Sequence, residues 1–374
     1  MRLSLVLAAS AASASVLPRS TFGQSENLPD SAFPHFETVS LEDAKQGKDR
    51  LIQGLPDPEN STDATTASSF GHVNAATAAT ADASACSANP NIRFEWKQYS
   101  DSDRLAFVSA VKCLMNKPAS GNFPPAKSRY EDFVRIHQSY MNNVHNNAKF
   151  LIWHRYYLWS FEQVLRTECG FDRAMVWWDE TLDAGKFAQS DMFTNNLYFG
   201  SLPNADANGN AVCISDGEFA GLISNIGPGE STTTPHCLSR AVDESDTAQC
   251  STDYINYCNE RTSYADYESC LEYGPHGYGH NGIGGTMSDV WASPSDPIFW
   301  MHHSFVDHSW RMWQNADTAR ILGIDGTDAS GNALTLDTMV YMGGIRPDVR
   351  VRDIINTLGG TQIGSETFCY RYTY

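Results

Sequence analysis

Four stretches of the chain carry apolar residues at helical spacing. In residues 103–115 the apolar positions are Leu105, Phe107, Val108, Val111 and Leu114. These positions would form one face of a helix, and residues 130–141 and 150–165 repeat the pattern. A fourth helix is predicted to begin at Asp296 and Pro297, because Asp is a favourable N-cap and Pro suits the first helical position. The sequence therefore predicts a mainly α fold built on a four-helix bundle.

The remaining segments have a different composition. Residues 61–85 are mostly Ala, Thr, Ser, Asp and Gly, which leaves little to bury and favours irregular chain. Residues 200–262 are rich in small polar residues, and we expect long, disulfide-braced loops there. Arg2, followed by the apolar run 3–12, is typical of a secretory signal. We divide the chain into an approximate signal peptide (1–20), a pro-segment or flexible N-terminal linker (21–85) and a packed domain (86–374).

Cysteine content and charge narrow the cellular setting. The chain has nine cysteines, and in an exported protein most of them pair as disulfides. The odd number leaves one cysteine unpaired or joined elsewhere. Asn60 begins one possible N-glycosylation sequence. The signal sequence and the cysteines together predict a secreted protein. A net charge of -18 argues against nucleic acid and anionic membranes as its partners.

Six histidines fall into two groups of three. The groups are His137, His145 and His154, and then His276, His280 and His303. His276 and His280 are four residues apart and would share one face of a helix. His145 and His154 are nine apart and would face opposite ways on one helix, so we expect His145 in the Asn-rich turn before the helix of His154. Two sites of three imidazoles, without carboxylate or thiolate, indicate a pair of copper ions acting on dioxygen.

The residues around these histidines resemble the type-3 copper family of tyrosinases, catechol oxidases and haemocyanins. The similar segments are 150–155 (FLIWHR), 272–280 (EYGPHGYGH) and 296–307 (DPIFWMHHSFVD). The resemblance covers roughly residues 86 to 374 and is strongest to short fungal polyphenol oxidases. It implies a bundle that holds two copper ions, with dioxygen as co-substrate. The implied ligands are His137, His145 and His154 for the first copper, and His276, His280 and His303 for the second.

The resemblance also implies supporting roles. It places His302, Asn281, Phe299 and Asp307 around the ligands and not on the copper. Arg93 resembles the arginine that opens the catalytic domain, and Tyr370 and Tyr372 resemble the Tyr-x-Tyr motif that closes it. In the family these residues contact each other. Cys369 is expected to pair with a cysteine near the N-terminal end of the domain, with Cys86 as the first candidate.

A few positions bear on which phenols react. In tyrosinases a glutamate and an asparagine are thought to hold a water that helps to deprotonate a monophenol. Glu272 matches the glutamate, but Gly277 occupies the asparagine position. Asn143 replaces the cysteine that some relatives join to a copper ligand, so we expect no thioether. Val290 replaces the bulky aromatic residue of plant relatives, so we expect a fairly open site.

These observations predict a secreted dicopper oxidase that oxidises o-diphenols (catechols) to o-quinones, with weak or no hydroxylation of monophenols. Small phenols and dioxygen are the expected partners. Three alternatives stay open: a true tyrosinase with full monophenolase activity, a haemocyanin-like dioxygen carrier, and a zinc hydrolase. A carrier needs something to block the copper site, and only the first 85 residues could serve. His35 lies in that segment and is given no role, and the oligomeric state is not predicted.

Overall fold

The computed structural model of the chain describes residues 27–49 and 85–374. The predicted signal peptide, the composition-biased residues 61–84 and the glycosylation sequence at Asn60 lie outside the described residues. In the described part of the chain, no helix is long and apolar enough to cross a bilayer.

A framework of helices surrounds the predicted histidines. The α-helices of the described residues are α1 (Leu41–Lys45), α2 (Asp101–Asn116), α3 (Arg129–Val144), α4 (Phe150–Cys169), α5 (Asp191–Thr194), α6 (Glu244–Thr247), α7 (Thr252–Asn259), α8 (Tyr264–Leu271), α9 (Gly277–Ile283), α10 (Phe299–Asn315) and α11 (Val351–Ile354). A π-helical turn, Glu272–His276, joins α8 to α9. Helices α3, α4, α9 and α10 carry the six histidines or lie directly next to them in the chain, and α4 contacts both α3 and α10. The predicted four-helix bundle is confirmed.

The strands of the domain are short, and the pairing of the first strand with the last joins its two ends. The strands are β1 (Asn91–Glu95), β2 (Met175–Trp177), β3 (Val212–Cys213), β4 (Ile223–Ser224), β5 (His236–Cys237), β6 (Ser239–Arg240), β7 (Met339–Val340), β8 (Val349–Arg350), β9 (Thr361–Ile363), β10 (Glu366–Phe368) and β11 (Tyr370–Tyr372). Strand β1 lies between β11 and β2 and is parallel to both. Its register pairs Arg93 with Tyr372 on one side and with Met175 on the other.

Local signals fix most helix ends. The Ser100 hydroxyl accepts a hydrogen bond from the Asp103 amide at 3.3 Å and caps α2, and Ser128 caps α3 in the same way. Gly170, with φ 66°, ends α4 in the left-handed conformation that glycine favours. Helix α10 begins at Phe299, later than predicted, because the Asp296 carboxylate accepts from the Ile298 amide at 3.0 Å and holds the intervening residues in a turn.

Disulfides brace the loops as expected. The four bonds are Cys86–Cys369, Cys113–Cys169, Cys213–Cys237 and Cys258–Cys270. The first bond confirms the expected pairing between the two ends of the domain, and Cys250 is the unpaired cysteine. The 200–262 region is mainly loop with two short antiparallel strand pairs, β3 with β6 and β4 with β5. Helix α7 within that region was not predicted, although Ser251 caps it.

Residues 27–49 form a segment that we call the N-terminal strap, and they are not a flexible linker. Phe33 of the strap is buried against Ala211 and Ala241. The Val290 amide donates to the Pro34 carbonyl at 2.8 Å, and the Val39 amide donates to the Tyr273 carbonyl at 2.8 Å. The linker interpretation of 21–85 is therefore wrong for this part, because the strap has both backbone partners and an apolar anchor on the domain.

A buried charge cluster joins both ends of the domain to α10. Asp307 accepts from Arg155 at 2.6 Å and from the hydroxyls of Tyr370 and Tyr372 at 2.6 and 2.5 Å. Arg93 donates to Glu162 at 3.0 Å and to Tyr372 at 2.9 Å, and its guanidinium lies 3.6 Å from the centre of the Tyr370 ring. The expected contact between Arg93 and the Tyr-x-Tyr motif is confirmed.

Replacing Asp307 by alanine should lower the free energy of unfolding by about 3–5 kcal/mol, because Arg155 and Arg93 would lose a buried countercharge. Urea unfolding of the metal-free protein measures this. Asp337→Ala is the matched control, since Asp337 forms its ion pairs at the surface with Arg350 and Arg352 and should change stability by no more than about 0.5 kcal/mol. Similar losses in both variants would contradict the special role of the buried cluster.

Candidate metal centre

The first histidine group lies where α3 passes into α4. His137 is on α3, His154 is on α4, and His145 directly follows the last residue of α3. Asn146, with φ 57°, turns the chain after His145 in the left-handed conformation that Asn tolerates. His145 thus lies outside the helix of His154, as the nine-residue spacing predicts, and the turn directs the three rings to one point.

The second group comes from the π-helical turn, α9 and α10. His276 ends the turn, His280 lies on α9, and His303 lies on α10. A Cβ atom at Gly279 would lie 2.4 Å from Cε1 of His302, so glycine is needed there for α9 to approach α10. Gly279 weakens the helix propensity and at the same time permits this close packing.

The two groups form a single centre. Within each group, ring nitrogens lie no more than 4.8 Å from one another. The rings of His154 and His303, one from each group, stack with their centres 4.5 Å apart. Phe299 stacks on His303 at 4.0 Å and meets His137 edge-on at 5.4 Å. The rings of the two groups are therefore in direct contact, with Phe299 packed against a ring of each group.

Hydrogen bonds fix the tautomers of four of these rings. Nδ1 of His137 and of His280 donates to the carbonyls of Trp291 and Met287 at 2.9 and 2.8 Å. Nδ1 of His154 and of His276 donates to the carbonyl four residues earlier, at 2.9 and 3.0 Å. A carbonyl can only accept, so each Nδ1 carries the hydrogen and each Nε2 keeps its lone pair.

Those lone pairs face inward without protein partners. Among the described residues, Nε2 of His137, His145, His154 and His276 has no hydrogen-bond partner although it is buried. Nε2 of His280 and Nε2 of His303 face each other at 3.0 Å. Buried polar atoms are normally satisfied, and a metal ion is the partner that several converging imidazole lone pairs accept. The residues present therefore fit metal ions in both groups.

A fourth imidazole belongs to the second group. Nδ1 of His302 contacts Oε1 of Glu180 at 2.6 Å, and the His302 ring is within the same 4.8 Å cluster as the three predicted ligands. A carboxylate behind an imidazole fixes its orientation. The geometry alone offers four imidazoles for the second ion, of which the family resemblance implies His276, His280 and His303.

The other predicted residues lie at different distances from the centre. Glu272 is buried, and its Oε1 accepts from the Asn146 amide at 2.9 Å. Burial and the neighbouring Glu268 raise the pKa of Glu272 well above its ordinary value. Gly277 directly follows His276, and Asn281 directly follows His280. The recorded hydrogen bonds of Asp307 go to the charge cluster and not to any of the histidines, so its role is in holding the domain together.

Three contacts of the centre were missed by the sequence analysis. Phe150 meets His276 with ring centres 4.5 Å apart, and Glu180 supports His302. Phe36 of the strap stacks on His280 with ring centres 4.0 Å apart and an angle of 18°. Phe150 opens the recognised FLIWHR segment and could have been found. Glu180 and Phe36 are distant in sequence and carry no local signal.

The expectation of an open site is wrong for this structure. Val290 is small, as noted, but its amide hydrogen-bonds to the strap, and the strap covers the second histidine group. All six predicted ligands are exposed by 2% or less. The site is covered by the strap, residues 27–49, whose packing on the domain was not predicted from the sequence.

Comparisons with known proteins agree with this geometry. The sequence model described as the common central domain of tyrosinase matches residues 127–316. Tyrosinase ustQ from Aspergillus flavus is 32% identical over 299 residues, which cover 76% of this chain and 80% of that protein. The chain belongs to the tyrosinase family. Another relative of this tyrosinase-family chain, N-acetyl-6-hydroxytryptophan oxidase ivoB from Emericella nidulans, is 28% identical over 368 residues, which cover 80% of this chain and 96% of that protein.

A solved structure shares the fold of this tyrosinase-family protein. It is a glycine-to-asparagine variant of a polyphenol oxidase from Thermothelomyces thermophila, with a TM-score of 0.66 and 25% identity over 78% of this chain and 93% of that chain. Tyrosinase-family proteins have dinuclear copper centres that use dioxygen, and the histidine clusters fit copper binding. The protein is a tyrosinase-like copper oxidase, so the zinc-hydrolase alternative is wrong.

Lowering the pH from 7.5 to 5.5 should destabilise the metal-free protein. Burial lowers the pKa of His137 to about 4 and of His302 to about 3, and it lowers the pKa of the other five histidines of the centre. Below a pH of about 6.5 the histidines of the unfolded chain bind protons, whereas the buried histidines of the folded protein do not. Each such histidine therefore lowers the free energy of unfolding by about 1.4 kcal/mol for each further pH unit.

Urea unfolding at several pH values checks this expectation. Burial raises the pKa values of Glu180 and Glu272 and raises the pKa of Asp289 to about 6; these three groups act in the opposite direction but are fewer than the seven histidines. A His154→Gln variant, with one titrating group less, should show a shallower dependence on pH. A stability that stays level or rises as the pH falls would contradict the neutral, buried state of the rings.

Proposed function

We propose that this protein is a secreted o-diphenol oxidase, which uses dioxygen to convert catechols to o-quinones and hydroxylates monophenols weakly or not at all. The observation that carries the proposal is the pair of buried imidazole groups with Nε2 lone pairs directed into one space, next to a glycine at position 277. The named activity of the ivoB relative extends the candidate substrates from catechols to hydroxyindoles.

The proposed ligands are His137, His145 and His154 for the first copper and His276, His280 and His303 for the second. When bound, the copper pair supplies the redox chemistry that passes two electrons from a diphenol to dioxygen. The protein supplies neutral imidazoles, which tolerate both oxidation states of copper. His302 packs against this set and is itself held by its contact with Glu180, and Phe299 packs on the rings of His303 and His137.

Proton handling near the second copper separates diphenol from monophenol chemistry. A diphenol carries two acidic hydroxyls, whereas a monophenol needs a well-placed base to lose its only phenolic proton. Glu272 is the proposed base, and Gly277 has no side chain that could hold a water against it. The missing side chain at position 277 supports the assignment of weak monophenolase activity.

Several features support secretion and the proposed domain limits. Four disulfides suit an oxidising compartment, and the first twenty residues have the composition of a signal peptide. We propose residues 86–374 as the catalytic domain, with the Cys86–Cys369 bond joining its ends. Residues 21–85 are then a pro-segment that includes the strap.

A dioxygen carrier is the second candidate function, because the strap supplies the cover that such a carrier needs. The two functions differ in turnover. A carrier would bind dioxygen reversibly and leave catechol unoxidised even when the cover is displaced, whereas an oxidase would then consume dioxygen.

Replacing His303 by glutamine should leave about one copper per chain, whereas His302→Gln should keep two, because only His303 is proposed as a ligand. Metal analysis of copper-loaded, dialysed protein measures the content. The neighbouring residues make each variant the control for the other. The reverse pattern would make His302 the third ligand of the second copper.

Oxygen uptake tests the activity itself. Copper-loaded protein should oxidise catechol at least roughly a hundredfold faster than tyramine, since a positioned base contributes about that much to proton transfer. Gly277→Asn should raise the ratio of tyramine to catechol rates by about tenfold, because the amide could hold a water against Glu272.

Gly277→Ala is the matched control for this variant. A Cβ atom at position 277 would lie 2.8 Å from Cγ2 of Thr38 in the strap, so both variants add this contact and only the asparagine adds an amide. Equal rates on both phenols in the unmodified protein would make it a true tyrosinase. A rise in the ratio with alanine as well would show that the amide is not the cause.

A further inference from the structure

Phe36 occupies the space directly over the second copper site. Its ring stacks on His280 with centres 4.0 Å apart and meets the ring of His276 edge-on at 5.1 Å. It also reaches His145 of the first group, at 6.0 Å. Phe36 belongs to neither apolar cluster of the described residues, so its ring contacts serve the histidine centre and not the packing of the core.

The backbone of Phe36 is held by a side chain from the centre. Oδ1 of Asn281 accepts from the Phe36 amide at 3.1 Å, and Nδ2 of Asn281 donates to the Phe36 carbonyl at 2.9 Å. Asn281 directly follows His280. The paired hydrogen bonds fix the strap at the one residue whose ring lies on the neighbouring imidazole.

Further contacts hold the strap on both sides of Phe36. Before it, the Asp30 carboxylate accepts from the Gly285 amide at 3.0 Å and pairs with His35 at 3.1 Å. After it, the Tyr254 hydroxyl donates to the Val39 carbonyl at 2.5 Å. The domain partners in these bonds, Gly285 and Tyr254, lie in the turn after α9 and on α7, so these bonds can break without moving α3, α4 or α10.

The strap leaves too little room for a substrate. The cavity that reaches His145 and Glu272 is lined on one side by His35, Phe36 and Glu37, and its volume is about 140 Å³. Pockets for small molecules usually have roughly 300–1,000 Å³. Since the predicted ligands are almost fully buried, a phenol can approach the second copper site only if Phe36 moves.

We propose that the N-terminal strap is an intramolecular inhibitor, in which the Phe36 ring takes the place of the aromatic ring of a phenolic substrate. The inference rests on the proposed function in so far as it names a phenol as the competing ligand. It predicts a latent protein whose apparent affinity for phenols is lowered by the fraction of molecules in which the strap is closed.

Binding without turnover tests the inhibitor directly. Zinc has no redox chemistry, so the zinc-loaded whole chain can bind 4-nitrocatechol without oxidising it, and the absorption spectrum reports the bound catecholate. Phe36→Ala should bind 4-nitrocatechol at least about tenfold more tightly than the unmodified chain, because the competing ring is gone. Phe33→Ala, which removes the buried anchor of the strap and leaves Phe36 intact, should shift the affinity in the same direction.

Glu42→Ala is the control, because Glu42 is an exposed residue of the strap and its loss should leave the affinity unchanged. Hydrogen exchange provides a second readout: the amides of Phe36 and Val39 should exchange faster when 4-nitrocatechol is added. Equal affinity for the unmodified chain and both phenylalanine variants, with no change in exchange, would overturn the proposal.

The same variants keep this proposal separate from the proposed function. If Phe36→Ala binds 4-nitrocatechol more tightly as a zinc protein but its copper form consumes no oxygen with catechol, the strap is an inhibitor and the oxidase assignment fails. If all chains oxidise catechol at one rate and bind 4-nitrocatechol equally, the oxidase assignment holds and the inhibitor is excluded.

Discussion

The orientation of four of the six predicted ligands depends on which carbonyl accepts from the Nδ1–H of the ring. For His154 and His276 the partner is four residues earlier in the same stretch of chain. For His137 and His280 the partners are Trp291 and Met287, which both lie in the loop between α9 and α10. One loop therefore sets the tautomer of a ligand in each group. Gly284 and Gly285 form the turn at the start of this loop, with φ of 70° and 56°, a conformation that other residues rarely adopt.

Sequence reasoning recovered the parts of the protein whose signal is local. Helices α3, α4 and α10 were predicted from their apolar positions, whereas α9 was indicated only by the four-residue spacing of His276 and His280. His145 was placed in a turn because nine residues cannot align two side chains on one helix face. Helix α10 began later than predicted because Asp296 also pairs with the buried Arg240, a partner distant in sequence. The supporting contact of Glu180 with His302 was missed for the same reason.

The strap shows a different limit of the sequence. The low-complexity composition of 61–85 was extended to the whole segment from residue 21, although residues 27–49 contain Phe33, Phe36 and Val39, which are all buried. These three residues are spaced three apart, which matches neither the alternation of a strand nor the mixed three- and four-residue spacing of an amphipathic helix, so neither element was indicated. Their burial depends on backbone partners such as Tyr273 and Val290, which only the folded domain brings into position.

Gly277 is subject to two constraints that act in the same direction. Chemically, the absence of a side chain removes a group that could hold a water beside Glu272. Sterically, any Cβ atom there would meet Thr38 and the Glu37 carbonyl at 2.8 and 3.0 Å. A strap packed this closely therefore selects glycine whatever phenol the enzyme oxidises. Weak monophenol chemistry would then be partly a consequence of how the strap covers the site, and substrate preference and latency would be linked through one position.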